Sequence, residues 1–450
     1  MLNFSIEIVS HKGSSMNCIT LAASILALAI ILPSAHAQKY ICGTAKSGYT
    51  TLSATSAFTE SSAGFDLGTT PVVSADFCSS DKPFFFSAPL PEGSYRVTVD
   101  LGSSQASTTT VWAEARRLML EKIATQPNAS TKRSFDVNVR VPEFTDAIGT
   151  VQRVHLKPRE IGNMDWDSKL TLEFNGDNPS VRSITIEPIK EPTLFLAGDS
   201  TVVDQDVEPW TAWGQILPRF FRPGVVVANH AESGETIKSF VGEHRFAKIF
   251  TQIKPGDYLF MQFAHNDQKI SPKTHEPVVP IEEYKALLVE YIAKARAAGA
   301  TPVLVTSMNR RTFDDSGHIT NSLAGYPDAM REVAAQQHAA LIDLNAMSKT
   351  LFEAMRPEGS MKAFMHFPAN AYPNQTKAIS DDTHFNSYGA YELARCIVHG
   401  IRQDKLPIQK FLTKDIPDFD PAHPDSQPDF HLPATPIPAT TTNVMKVPQV

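Results

Sequence analysis

The chain has 450 residues, which is long for one compact domain and favours two or three. Hydrophobic residues make up 42% and charged residues 20%, so a core of normal size can be buried without metals or a dense disulfide network. A formal net charge of −7 argues against a dedicated nucleic-acid binder, and any acidic ligand would need local basic groups.

The N-terminus reads as an export signal. From Asn17 to Leu32 the sequence is almost wholly apolar, and it ends in Pro33-Ser34-Ala35-His36-Ala37. The run is short of the ~20 residues a membrane span needs. Small residues at Ala35 and Ala37 fit cleavage before Gln38, which predicts a signal peptide over 1–37 and a secreted or periplasmic protein with no membrane attachment afterwards. Positive charge ahead of the run is thin (Lys12, helped by His11), and Met16 is an alternative start. Cys18 leaves with the leader. Cys42 and Cys78 are the expected disulfide pair, since both lie in the N-terminal region and export permits disulfides. Cys396 sits in an apolar helical pattern and reads as a buried thiol.

Between 38 and 190 the chain is rich in Ser, Thr, Phe and Val, with alternating runs at Tyr95–Val99, Phe135–Val141, Leu170–Phe174 and Ser183–Glu187. Period-two patterning with turn residues between predicts antiparallel strands packed on one face, hence a β-sandwich. A helical interruption is expected over Ala113–Lys122. From 191 to 413 short apolar runs (Leu194–Ala197, Val225–Ala228, Tyr258–Met261, Pro302–Val305, Leu341–Leu344) alternate with helical patterns at Ile281–Ala298, Tyr326–His338 and Tyr388–Ile401. That alternation predicts an α/β domain, a parallel sheet covered by helices on both faces. The proline-crowded stretch 414–450 cannot form a helix or a central strand, and reads as an extended tail that packs back or stays disordered.

In parallel sheets, ligands bind beyond the carboxyl ends of the strands. Gly198-Asp199-Ser200-Thr201 follows the first apolar run, Gly234 lies after the second, and Asn266 follows the third in Ala264-His265-Asn266-Asp267. Asp381-Asp382-Thr383-His384 comes just before the last helix. Together these form an acyl-transfer kit. A serine hydroxyl needs a base, the imidazole needs a carboxylate to fix its tautomer, and the developing oxyanion needs preorganised donors. Ser200 is the candidate nucleophile, His384 the base and Asp381 its partner in a tight loop. The Ser200 N–H, the Gly234 N–H and the Asn266 amide are the candidate oxyanion hole. Each element alone is weak, because a Gly-Asp-Ser is usually a polar turn. Their joint order at strand ends is the strong signal.

These blocks resemble the SGNH hydrolases, a branch of the GDSL esterases. Gly198-Asp199-Ser200-Thr201, His265-Asn266-Asp267-Gln268 and Asp381-Asp382-Thr383-His384-Phe385-Asn386 are most similar to the rhamnogalacturonan acetylesterases. The likeness spans roughly Thr193–Arg402. The preceding region resembles the galactose-binding-like domain of bacterial members. The resemblance implies a flavodoxin-like three-layer α/β/α fold, hydrolysis of O-acetyl esters on plant cell-wall polysaccharide through an acetyl-serine, and no cofactor or metal. Ser200, Asp381 and His384 match the family's triad, and Ser200, Gly234 and Asn266 its oxyanion hole.

Two positions depart from the pattern. Ala264 replaces the usual glycine, and Glu235 stands where relatives often carry arginine. The second change leaves Lys238, Lys269, Arg310 and Arg311 as candidate compensating charges for an acidic sugar. Trp112 and Trp166 are candidate sugar-binding aromatics, although buried aromatics are commoner in such cores. Lysophospholipase or thioesterase chemistry could use the same kit. An inactive carbohydrate-binding protein would be expected to lack part of it, and all five positions are present.

Overall fold

A computed structural model of the chain describes residues 36–373 and 375–436. The leader, with Cys18 and Met16, therefore lies almost wholly outside the described residues, as does the end of the tail beyond 436.

In the first half the alternating segments form strands as their patterning demands. One five-stranded sheet runs in the order Thr131–Val139, Gly93–Leu101, Ser183–Pro188, Gln38–Cys42, Thr50–Leu52. A second runs Gly64–Asp66, Phe84–Pro89, Lys169–Asp177, Ser107–Ala113, Arg117–Thr125. Their inward residues form a single apolar cluster. Val97 and Val99 from one sheet join Leu170, Leu172 and Phe174 from the other, and Tyr40 meets Phe86 edge-on at 5.0 Å. Cys42 and Cys78 are joined in a disulfide, with Cα atoms 5.6 Å apart.

The helix expected over Ala113–Lys122 is absent. That stretch is a tight reversal at 114–116 followed by the strand Arg117–Thr125, with Glu114 at φ 53° and Arg116 at φ 62°. The helical reading failed because the reversal carries Glu, Ala and Arg, ordinary helix formers, in place of Gly or Asn. Trp112 is 1% exposed and Trp166 9%, so neither offers a face to a sugar. Trp112 belongs to the core under the α/β sheet, and Trp166 carries the Arg140 guanidinium over its ring and meets the His230 ring in a T-shaped contact.

The second half holds a five-stranded parallel sheet in the order Val226–Asn229, Thr193–Gly198, Tyr258–Gln262, Thr301–Val305, Ala340–Ile342. Its strands are apolar at nearly every interior position because both faces are covered, with polar residues such as Thr193, Asn229, Gln262 and Thr301 at their ends. Leu194 and Leu196 enter one core with the helix Ser387–Gln403, whereas Phe195 and Ala197 enter the other with Ile281–Ala297 and Tyr326–Gln337. The expected strand Leu341–Leu344 ends at Ile342, since Asp343 caps a helix, Leu344–Ser360, by accepting the Ala346 N–H at 3.3 Å. Cys396 is a buried thiol within Ser387–Gln403.

Through residue 436 the tail has one short 3-10 turn, Gln427–Asp429, and packs back. The Asp425 carboxylate pairs with Arg395 while its backbone carbonyl accepts the Tyr388 hydroxyl at 2.7 Å, and the Ala434 carbonyl accepts from Asn175 at 3.0 Å.

One glycine is dictated by close approach. A Cβ on Gly214 would lie 2.1 Å from the Val202 carbonyl oxygen and 2.9 Å from Asn229 Nδ2, just behind the Ser200 turn. Gly214→Ala is expected to cost about 2 kcal/mol or more, read as a lower midpoint in chemical denaturation.

Candidate active site

Ser200 leaves the carboxyl end of strand Thr193–Gly198 in a turn whose polar groups are tied from behind. The Asp199 carboxylate accepts the Thr201 N–H at 3.0 Å and the Thr201 hydroxyl at 2.8 Å. The Gln262 amide donates to that hydroxyl oxygen at 2.6 Å, and its own oxygen accepts the Trp213 indole N–H at 2.8 Å. All four side chains are buried, so a broken link would strand a polar atom away from water. The Gln205 amide then holds the Ser200 carbonyl at 3.0 Å.

His384 and Asp381 are three residues apart on strand Ile379–Phe385, and on a regular strand they would point to opposite faces. They meet because the strand bulges. Opposite Phe364–Phe367, Phe385 pairs with Phe364 while Asp381 pairs with Met365, leaving residues 382–384 looped out between them. The expected tight loop is thus a bulge within a two-stranded sheet. It turns the Thr383 and His384 N–H groups onto Asp381 Oδ1, at 2.7 and 3.1 Å. Asp381 Oδ2 lies 2.7 Å from His384 Nδ1, and His384 Nε2 lies 2.8 Å from Ser200 Oγ. With a carboxylate at Nδ1, the tautomer carrying Nδ1–H leaves Nε2 as an acceptor facing the hydroxyl.

Burial alone would raise the Asp381 carboxyl. The His384 imidazole and the two N–H groups outweigh it and bring it down to about 2. Asp199 is likewise raised by burial, yet lowered overall by His265 and the Thr201 donors. His265 donates from Nε2 to the Met308 carbonyl at 3.0 Å, while its Nδ1 stands 3.6 Å from Asp199, too far for a hydrogen bond.

Gly234 lies in a loop after strand Val226–Asn229 at φ 80°, a conformation that favours glycine. Asn266 lies in the turn after Tyr258–Gln262. The two turns are laced together, with the Asn266 amide donating to the Glu235 carbonyl at 2.9 Å and the Ile237 N–H to Asp267 Oδ1 at 2.9 Å. Burial, against that N–H, pushes the Asp267 carboxyl to about 8. One amide hydrogen of Asn266 remains for a ligand. Among the described residues, neither the Ser200 nor the Gly234 N–H is taken by a protein acceptor.

The charges differ from expectation. Glu235 is fully buried and pairs with Lys157, which arrives from the first half of the chain. Lys238 pairs with Glu283 at 2.7 Å, Arg311 with Asp382 at 2.9 Å, and Arg310 is spent on the Ser322 and His265 carbonyls. Lys269 is exposed. Gln262, Gln205, Trp213, Lys157 and Arg159 support the site without having been singled out from sequence. Gln262 was the most accessible of them, as a polar residue closing an otherwise apolar strand.

Because the folded state holds Asp381 below its unfolded value of ~3.9, its contribution to stability is full above that value and is lost as pH falls through about 2. Asp381→Asn should therefore cost about 2 kcal/mol near neutral pH, with the difference shrinking towards pH 2 in denaturation series.

The profile of the GDSL-like Lipase/Acylhydrolase family matches residues 196–390. The chain is 42% identical over 227 residues to rhamnogalacturonan acetylesterase RhgT of Bacillus subtilis (strain 168), covering 50% of this chain and 96% of that protein. It is 35% identical over 224 residues to the probable rhamnogalacturonan acetylesterase YesY of the same organism, covering 49% and 98%. A solved structure, the Bacillus subtilis protein YxiM, covers 82% of this chain and 99% of its own at 22% identity and a TM-score of 0.45. The chain belongs to the GDSL-like lipase/acylhydrolase family, as an SGNH hydrolase and carboxylic ester hydrolase similar to the rhamnogalacturonan acetylesterases.

Proposed function

We propose that this protein is an exported carbohydrate acetylesterase that removes O-acetyl groups from plant cell-wall polysaccharide, foremost acetylated rhamnogalacturonan. The observation that carries the reading is the hydrogen-bonded line from Ser200 Oγ through His384 to Asp381, at 2.8 and 2.7 Å.

In this reading His384 Nε2 takes the Ser200 proton as Oγ attacks the acetyl carbonyl carbon. Asp381 stabilises the imidazolium that forms. The oxyanion is met by the N–H groups of Ser200 and Gly234 and the free amide hydrogen of Asn266. His384 returns the proton to the departing sugar hydroxyl, leaving an acetyl-serine. Water, deprotonated by the same imidazole, then attacks that ester and releases acetate. A pectic substrate is favoured by the names of the Bacillus relatives.

Export is supported by the Cys42–Cys78 disulfide, a bond that persists in oxidising compartments, and by a first strand that opens at Gln38. We read 38–190 as a galactose-binding-like β-sandwich domain, 191–413 as the hydrolase domain and 414–450 as the tail. The shared core of the two N-terminal sheets supports the first of these.

Acetate release from acetylated rhamnogalacturonan, homogalacturonan and xylan, measured in parallel, tests the function. Ser200→Ala should abolish release with an unchanged melting temperature. Retention of near-wild-type rate would move the nucleophile elsewhere, and activity on lipid or thioester substrates alone would discard the polysaccharide. Asn266→Ala should lower kcat ~100-fold with a smaller change in KM.

A further inference from the structure

The Gly234 loop is held from outside the α/β layer. The Ser233 carbonyl accepts from Lys157 Nζ at 2.8 Å and also from Arg159 Nη2. Both cations come from the first half of the chain, in the segment that follows strand Val151–Arg153. Each also meets a carboxyl group on the loop it grips. Lys157 pairs with the buried Glu235, and Arg159 Nε donates to buried Glu232 Oε1 at 2.5 Å. Burial and neighbouring Glu160 push the Glu232 carboxyl upward against the pull of Arg159. The pair of cations is hydrogen-bonded to the loop at several points. What it fixes is geometry.

The Ser233 carbonyl and the Gly234 N–H belong to one planar peptide unit and point in opposite directions. Two donors on the carbonyl oxygen set the tilt of that plane, and so set where the N–H aims. They also draw electron density towards the oxygen, which strengthens the N–H as a donor. Glycine at φ 80° turns the chain on the far side of this peptide, where the Glu235 N–H closes back on the Glu232 carbonyl at 3.3 Å.

The Ser200 side is held in the same manner. Arg116 donates to the Gln205 and Trp210 carbonyls at 3.1 and 2.8 Å, and Arg117 Nε to Asp204 at 2.6 Å.

We propose that Lys157 and Arg159 are positioning residues for the reaction. By clamping the Ser233 carbonyl they aim the Gly234 N–H at the oxyanion, which makes the N-terminal half of the chain part of the catalytic apparatus. This rests on the reading of Gly234 as an oxyanion donor.

The test uses the full chain, with hydrolysis of 4-nitrophenyl acetate as a readout free of polysaccharide recognition. Arg159 is 49% exposed in its side chain, so Arg159→Gln should fold as wild type, checked by thermal melting. Arg159→Gln and Lys157→Met should each lower kcat about tenfold with KM within twofold, and Arg159→Lys should recover most of the loss. Wild-type kcat in Arg159→Gln, or a raised KM at unchanged kcat, would overturn the proposal, and Arg159→Gln alone decides if Lys157→Met does not fold. An active wild type with unaffected variants removes only this inference. A wild type inert towards the ester removes the esterase reading with it.

Discussion

Arg117 is a full positive charge with no access to water, and much of the structure is arranged to meet it. Its guanidinium donates to Asp204 at 2.6 Å, Asp165 at 2.7 Å and the Asn138 carbonyl at 2.8 Å. Those partners come from both halves of the chain. Asp204 lies four residues after Ser200 and Asp165 lies in the segment that follows Lys157 and Arg159. Desolvating such a group costs several kcal/mol, and the cost is offset only while every partner keeps its place. The ion cluster therefore ties the stability of the N-terminal strands to the shape of the loop behind the serine. Two further arginines, Arg116 and Arg245, are buried in the same way and extend the tie to Glu208 and Glu160.

The site shows a division of labour between rigid backbone and paired charge. The bulge at residues 382–384 brings Asp381 and His384 together although their spacing on a strand would separate them. Asp381 is kept ionised by donors that the bulge itself supplies. Asp199, directly before Ser200, is kept ionised by Thr201 and the nearby His265, whereas Asp267 is left so dry that its carboxyl rises to about 8. Two of these three carboxyl groups are thus ionised and the third is not, because Asp267 meets a single N–H donor where the others meet two or three.

Much of this was legible in the residues. The five parallel strands are continuous apolar runs because both faces are buried, and that pattern cannot be mistaken for a half-exposed sheet. Ser200, Asp381 and His384 stand out by position, at a strand end and before a helix, and the fold places His384 within hydrogen-bond reach of the other two. The reversal at 114–116 reads as helix in sequence, because its residues are helix formers and its left-handed φ values come from tertiary pairing. Lys157 and Arg159 gave no signal at all. A lysine and an arginine in a polar loop look like solvated surface until the partner loop is in place.

What the sequence by itself determined is the local chemistry: which segments alternate, which are apolar throughout, and which short polar blocks interrupt them. These follow from period, propensity and side-chain type, all of which act over a few residues. Only the tertiary structure decided which charges would be buried against one another, that Glu235 would be answered by Lys157 in addition to nearby Ser239, and that the two tryptophans would be interior. Those outcomes depend on contacts between residues about eighty positions apart, and on the energetic rule that a buried charge must find its partner wherever the fold brings one.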